Sequence, residues 1–148
     1  MRVLIQRVQQ ASVSVAGEQI SSINKGLLIF LGTGKEDTQA QADTLWNKIS
    51  KLRIFEDEEG KTNLSLQEVQ AECLIVSQFT LYASCKKGNR PSFTQAQAPN
   101  EARELYEYFI KLAKRNISCV QTGEFGALMQ VELINDGPFT LWLDSEAL

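Results

Sequence analysis

Two short segments of this chain carry residue types that could do chemistry. Ser77-Gln78-Phe79-Thr80 places two hydroxyls and an amide inside Leu74–Tyr82, a run that is otherwise apolar. Polar groups in a central strand need partners if they are buried. On the plain reading the sheet satisfies Ser77 and Thr80, and Gln78 faces solvent. On the sharper reading, backbone N–H groups and hydroxyls of this segment hold an ester or a developing oxyanion. Thr80 as a nucleophile would need a base, and none adjoins it in sequence. The second segment, Asn135-Asp136-Gly137-Pro138-Phe139-Thr140, is the strongest turn signal in the chain. Read plainly it is a hairpin turn. Read for function, Gly137 permits close approach of backbone to a ligand and Pro138 fixes the loop's shape. Rigid carbonyls would then stand where a side chain collides.

Composition narrows the chemistry further. The sequence has no histidine, which removes Ser-His and Cys-His catalysis, imidazole acid–base steps and His-ligated metals. Its three cysteines, Cys73, Cys85 and Cys119, are odd in number and form no C-x-x-C. Reduced thiols are expected, with no disulfide framework, metal site or cofactor. Fifteen basic and 18 acidic residues give a net charge of −3, against the balance of a protein that coats nucleic acid. The charge is uneven, however. No acidic residue lies between Glu72 and Glu101, and Lys86, Lys87 and Arg90 fall in that interval. They are solvated surface on the plain reading and phosphate contacts on the sharper one.

These segments need elements to position them. The 148 residues suit a single domain, 1–148, large enough to bury its own core. No apolar run is long enough to span a bilayer, and the opening MRVLIQRVQQAS lacks the apolar centre of a signal peptide, so a cytoplasmic protein with no membrane partner is expected. Arg2–Val8 and the alternating Ser12–Val15 read as strands, Ala16-Gly17-Glu18 as a turn and Gln19–Asn24 as a return arm. Leu27–Leu31 is continuously apolar, a strand covered on both faces. Thr38 with Gln41 fits a capping box, and Ala42, Leu45, Trp46, Ile49 and Leu52 follow at helical spacing. Glu56–Gly60 is a charged turn and Asn63–Val69 is irregular or a short helix. Glu72–Tyr82 reads as a central strand, and Ala83–Pro99 as a long loop of the kind usually functional. A second helix is expected after Pro99, capped by Asn100, with Leu105, Phe109, Leu112 and Ala113 as its buried stripe. Ile117–Gln121 and Ala127–Ile134 are strands, the second with Met129, Val131 and Leu133 on one face. Asn135–Pro138 breaks that ladder before Phe139–Leu143 resumes it. The class is α+β: a mostly antiparallel, curved or barrel-like sheet with two main helices packed outside.

Taken together, the two segments resemble the signatures of the D-aminoacyl-tRNA deacylases, first described as D-tyrosyl-tRNA deacylases. Those signatures are a Ser-Gln-Phe-Thr strand and an Asn-x-Gly-Pro-Val-Thr loop. The resemblance extends to Met1–Val8, Lys87–Phe93 and Phe125-Gly126-Ala127, in the same order. Phe139 stands in place of the usual valine, and Leu128 where an acidic residue is expected. The resemblance implies a homodimer in which each Gly137–Pro138 loop, its peptide cis, enters the partner's active site. The loop's carbonyls would strike an L side chain and spare a D one, and glycine could pass. This is specificity by exclusion. It also implies hydrolysis of the ester of D-aminoacyl-tRNA without metal or cofactor, assisted by the tRNA's own 2′-hydroxyl. The residues it assigns are Ser77, Gln78, Phe79 and Thr80 for catalysis, with backbone N–H groups near Gln78 and Phe79 holding the carbonyl oxygen. Thr80 is proposed in such enzymes as a nucleophile, but with no base identifiable here a binding role is expected. Asn135, Gly137, Pro138 and Met129 contact substrate, and Lys86, Lys87 and Arg90, by their charge, are expected to contact tRNA phosphates. The competing reading from another class is a non-catalytic module that binds a tRNA end. A general esterase is a third, disfavoured by the missing histidine and the absence of a G-x-S-x-G elbow.

Overall fold

The strand pattern that opens the chain does not stop at Val8. In the computed structural model, which describes residues 1–148, Arg2–Val15 form one continuous strand, β1. It turns through Ala16 and Gly17, both at positive φ, into β2 (Glu18–Ile23). Then follow β3 (Gly26–Gly32), α1 (Gln39–Ile49), a small hairpin of β4 (Phe55–Glu56) and β5 (Thr62–Leu64), and β6 (Glu72–Ser77). The chain ends with α2 (Pro99–Lys114), β7 (Val120–Thr122) and β8 (Met129–Asp144). The β4–β5 hairpin flanks the charged turn at 56–60, in a stretch the periodicity leaves irregular.

One mixed, nearly closed sheet carries the fold, in the order β2-β1-β3-β6-β7, with β8 along the far side of β1. Pairing around β1 is antiparallel, while β3–β6 and β6–β7 are parallel. The apolar run of β3 is covered on both faces, as its continuity predicts. Leu27, Ile29 and Leu31 join Val3, Ile5, Cys73 and Ile75 beneath the helices. Leu28 faces the other way, with Val8, Ala11, Val13, Leu74 and Val76 in the barrel interior.

Both helices pack on the outer face. Thr38 caps α1 reciprocally with Gln41, an arrangement worth about 1 kcal/mol. Trp46 meets Phe109 of α2 edge to face, centroids 5.6 Å apart, which adds about 0.5–1.5 kcal/mol to the area buried. Leu52 lies past the end of α1 and packs at the margin of the core.

Three expectations are corrected. The N-cap of α2 is Ala98, without a side-chain bond, and Pro99 is the first helical residue. Proline's fixed φ suits that position and its missing N–H costs nothing there, so Asn100 falls inside the first turn. The central strand ends at Ser77 rather than Tyr82, because Phe79–Tyr82 coil into a 3₁₀ turn. Finally, Asn135–Thr140 is not a hairpin turn: both halves of β8 pair antiparallel with β1, Thr140 opposite Gln6 and Asn135 opposite Val8. The direction never reverses. Residues 136–139 bulge out opposite Arg7 alone, and β8 is one strand.

Candidate active site

Parallel strands end together, and ligands collect beyond their carboxyl ends. The last pair of β3 and β6 is Leu31 with Ser77, and a cavity of about 580 Å³ opens there, within the usual range for a small-molecule site. Ser77, Gln78 and Phe79 form one wall. The start of α2 contributes Pro99 and Ala102, and β8 contributes Met129. The structure therefore gathers Ser77, Gln78, Phe79 and Met129 at one place. Thr80 sits just behind the wall, its Oγ1 accepting from Gln78 Nε2.

The local backbone explains what this wall can offer. Gln78 N–H donates to Leu31 O at 2.8 Å and so belongs to the sheet, which corrects the expectation that it holds the carbonyl oxygen alongside Phe79. The next N–H groups, of Phe79 and Thr80, open the 3₁₀ turn and have no acceptor within it, as at any helix start. Neighbouring free donors of this kind are what a developing oxyanion requires.

A buried charge cluster pins the region from behind. Asp37 accepts from the Met1 α-ammonium at 2.5 Å, from Gly34 N–H at 2.5 Å and from the Tyr82 hydroxyl at 3.0 Å. Its main-chain oxygen accepts from Gln97 Nε2 at 3.1 Å, and Gln97 lines the cavity. Burial and the Asp37 carboxylate push the Tyr82 hydroxyl well above its ordinary pKa, so it stays protonated and keeps donating. Burial raises Tyr106 likewise, whose hydroxyl donates to Ile75 O at 2.8 Å. Arg2 lies over the Tyr82 ring at 4.3 Å and pairs with Asp144 at 2.8 Å. Burial alone would raise Asp144, but the Glu146 N–H and Arg2 outweigh it and hold the carboxyl below its ordinary value. Its stabilising contribution is thus present above the ordinary carboxylate pKa and is lost as pH falls through the lowered one. Cys73 is buried and its thiol pushed far up by burial and by Cys119, which leaves it inert as a nucleophile.

The Gly137–Pro138 loop is elsewhere. Neither residue, nor Asn135, lines the cavity. The peptide between Gly137 and Pro138 is cis, and both residues are exposed at the crest of the bulge. Asn135 closes the loop, donating from Nδ2 to Arg7 O at 3.0 Å and to Phe139 O at 3.2 Å. Beneath it lies Arg7, a buried guanidinium. Arg7 Nε faces Asp136 Oδ2 at 2.9 Å, NH1 donates to Ile54 O at 2.5 Å, and the group sits 4.3 Å from the centre of the Phe139 ring. The Phe139 phenyl, at the position where valine is expected, is thus the floor under this cation. Sequence reasoning missed Arg7, although a signal was present: it shares the alternation parity of Met1, Val3 and Ile5, all buried. An arginine on an apolar face calls for a carboxylate partner.

Lys86, Lys87 and Arg90 are exposed on the loop closed by the Ser84–Ser92 bridge, outside the cavity lining. Leu128, in place of the expected acid, lies at the rim and is 94% exposed. Gly123 bears on the pocket directly, since a Cβ there would meet Met129 Sδ at 2.6 Å. The far end of a methionine can move, so Gly123→Ala is expected to fold, tilt Met129 into the cavity and raise KM several-fold with little change in kcat. An unchanged KM would place Met129 outside the substrate's reach.

Comparison with known proteins bears on the same residues. The sequence profile of the family described as D-Tyr-tRNA(Tyr) deacylase matches residues 4–144. The chain belongs to this family. It is thereby an enzyme of a hydrolase family, and the match spans both the cavity wall and the bulge. A D-aminoacyl-tRNA deacylase of Thermosipho melanesiensis is 52% identical over 99% of this chain and 98% of its own length. One from Thermotoga petrophila is 49% identical over 100% and 99%. Among solved structures, a c-Myc DNA unwinding element binding protein superposes with a TM-score of 0.92 at 44% identity, covering 97% of this chain and 98% of the other. A probable eukaryotic D-amino acid tRNA deacylase shares the fold with a TM-score of 0.80 at 20% identity.

No helix is long and apolar enough to cross a membrane.

Proposed function

We propose that the protein hydrolyses the ester of D-aminoacyl-tRNA, and of mischarged glycyl-tRNA, as a homodimer that rejects L-aminoacyl-tRNA. The observation that carries this reading is a small-molecule cavity with Ser77–Phe79 as one wall, in a chain of the deacylase family. The ester carbonyl lies against the N–H groups of Phe79 and Thr80, which hold its oxygen as charge develops. Losing one such donor typically costs about 10²–10³ in rate. With no imidazole in the chain, the terminal 2′-hydroxyl of the tRNA assists the attacking water. Lys86, Lys87 and Arg90 contact backbone phosphates, which makes binding weaken with salt.

The dimer is inferred from what one chain leaves unfinished. The exposed loop of Gly137 and Pro138 lies apart from its own cavity, and the outer edge of β8 pairs with nothing in the chain. Ile134 and Trp142 on that strand are 48% and 49% exposed. A long unpaired edge bearing exposed apolar groups is a pairing surface, and a two-fold partner there brings each loop to the other chain's cavity. Carbonyls of Gly137 and Pro138 then face the substrate's α-carbon and exclude an L side chain.

The test is hydrolysis of matched D-Tyr-tRNA and L-Tyr-tRNA with chelator present. Release from the D substrate alone is expected. Binding of tRNA with release from neither would make the protein a tRNA-end-binding module instead. In the same assay Thr80→Ala should keep activity within about tenfold, since the Thr80 hydroxyl already accepts from Gln78 and a lost neutral hydrogen bond is worth about 0.5–1.5 kcal/mol. A loss of several orders of magnitude with the fold intact would make Thr80 the nucleophile.

A further inference from the structure

Two phenyl rings stand exposed side by side at the mouth of the cavity. Phe79, part of the cavity wall, is 56% exposed, and Phe93 is 37% exposed. Their centroids are 5.0 Å apart and the rings are inclined at 68°. An edge-to-face pair of this kind fixes both rings while leaving an aromatic face open. Large apolar groups clustered in solvent mark an interaction site more often than chance exposure. Their setting says what they meet. Phe93 follows directly on Ser92, which closes the loop bearing Lys86, Lys87 and Arg90. No acidic residue occurs from Cys73 to Asn100. Exposed aromatics interleaved with cations are how proteins hold single-stranded nucleic acid: bases stack on the rings and phosphates meet the charges.

We propose that Phe79 and Phe93 form a stacking platform for the nucleotide preceding the esterified terminal adenosine, with Lys86, Lys87 and Arg90 beside its phosphates. The assignment rests on the deacylase reading for the identity of the substrate, and extends it from the ester to the strand that carries it. The cavity receives the aminoacyl end, so the preceding base falls at the rim, where the rings are. Stacking is tolerant of base identity, which suits an enzyme that must act on tRNAs of many sequences.

The experiment is a binding titration with an uncharged acceptor-stem minihelix carrying the native single-stranded end, beside one abasic at the penultimate nucleotide. Phe93→Ala is expected to weaken binding of the first on the order of tenfold and of the second by less than about twofold, and Phe93→Trp, which keeps an aromatic face, should bind both like the parent. Equal loss on both RNAs, or no loss on either, overturns the platform. So does a shift in oligomeric state without dependence on the base, which would assign the rings to a second copy of the chain. Because the readout is binding, a failure to hydrolyse D-Tyr-tRNA would sink the deacylase reading without touching this result.

Discussion

Arg7→Met is expected to cost about 2–4 kcal/mol of stability and, with it, most of the hydrolysis of D-Tyr-tRNA. Arg7 is 3% exposed, and its guanidinium serves three neighbours through four contacts: the Asp136 carboxylate and main chain, Ile54 O, and the Phe139 ring. Removing it strands the Asp136 carboxylate, which is only partly solvated, and leaves a carbonyl unpaired in a dry site. Breaking a buried pair from one side costs about 3–5 kcal/mol, discounted here because the Asp136 side chain keeps 30% of its exposure. Arg7→Lys should recover only part of the loss, since one ammonium cannot reach both Asp136 and Ile54 as the planar fork does. The functional effect follows from place. Residues 136–139 oppose nothing in the ladder but Arg7, so the loop's position depends on that one side chain and on Asn135. Denaturant titration and a cycle with Asp136→Asn would measure the coupling. A variant that loses stability but hydrolyses D-Tyr-tRNA at the parent's rate would show that Arg7 holds up the sheet and not the loop.

How far the sequence reveals this depends on whether the deciding contact is local. The cap at Thr38 and the stripe of Ala42, Leu45, Trp46 and Ile49 were legible because i, i+3 and i+4 neighbours decide a helix on their own. The two-sided burial of Leu27–Leu31 was legible because an unbroken apolar run has no solvent face. The end of β6 was not. Phe79-Thr80-Leu81-Tyr82 has strand composition, and what coils it is distant: Gln78 N–H reaches Leu31 O, and the Tyr82 hydroxyl reaches Asp37. The bulge failed for a related reason. Asn-Asp-Gly-Pro signals that the ladder is interrupted but not whether the chain then reverses. Here the same partner strand waits on both sides, a fact that resides in β1. The site divides the same way. Ser77, Gln78 and Thr80 were visible as polar residues in an apolar run. Asp37 and Gln97 gave no signal, because their value lies in bonds across 45 and 60 positions of sequence.

Gly137→Ala is expected to leave the fold untouched and yet lower D-Tyr-tRNA turnover more than tenfold. A Cβ built on Gly137 meets nothing closer than Asn135 Oδ1, at 3.7 Å, an ordinary contact. Its φ lies outside the left-handed region, so alanine is not strained there by its own backbone. Within one chain, then, the methyl is free, and the melting temperature should stay within about 2 °C of the parent, as for a surface change. Any large kinetic loss must arise from what the exposed loop meets outside its own chain, which on the dimer reading is the partner's cavity and the substrate in it. A complementation experiment makes this decisive. Gly137→Ala homodimers lack a working loop, and Met129→Trp homodimers have filled cavities with intact loops. Co-refolding the two should restore about a quarter of parental activity, because half of randomly assorted dimers are mixed and each mixed dimer assembles one intact site from its two chains. If the loop served its own cavity, no mixed dimer would contain an undamaged site and activity would stay at the level of the single variants. Unchanged kinetics for Gly137→Ala on both D-Tyr-tRNA and L-Tyr-tRNA would remove the loop from chiral selection altogether, and the discrimination would then have to be sought in the walls formed by Phe79 and Met129.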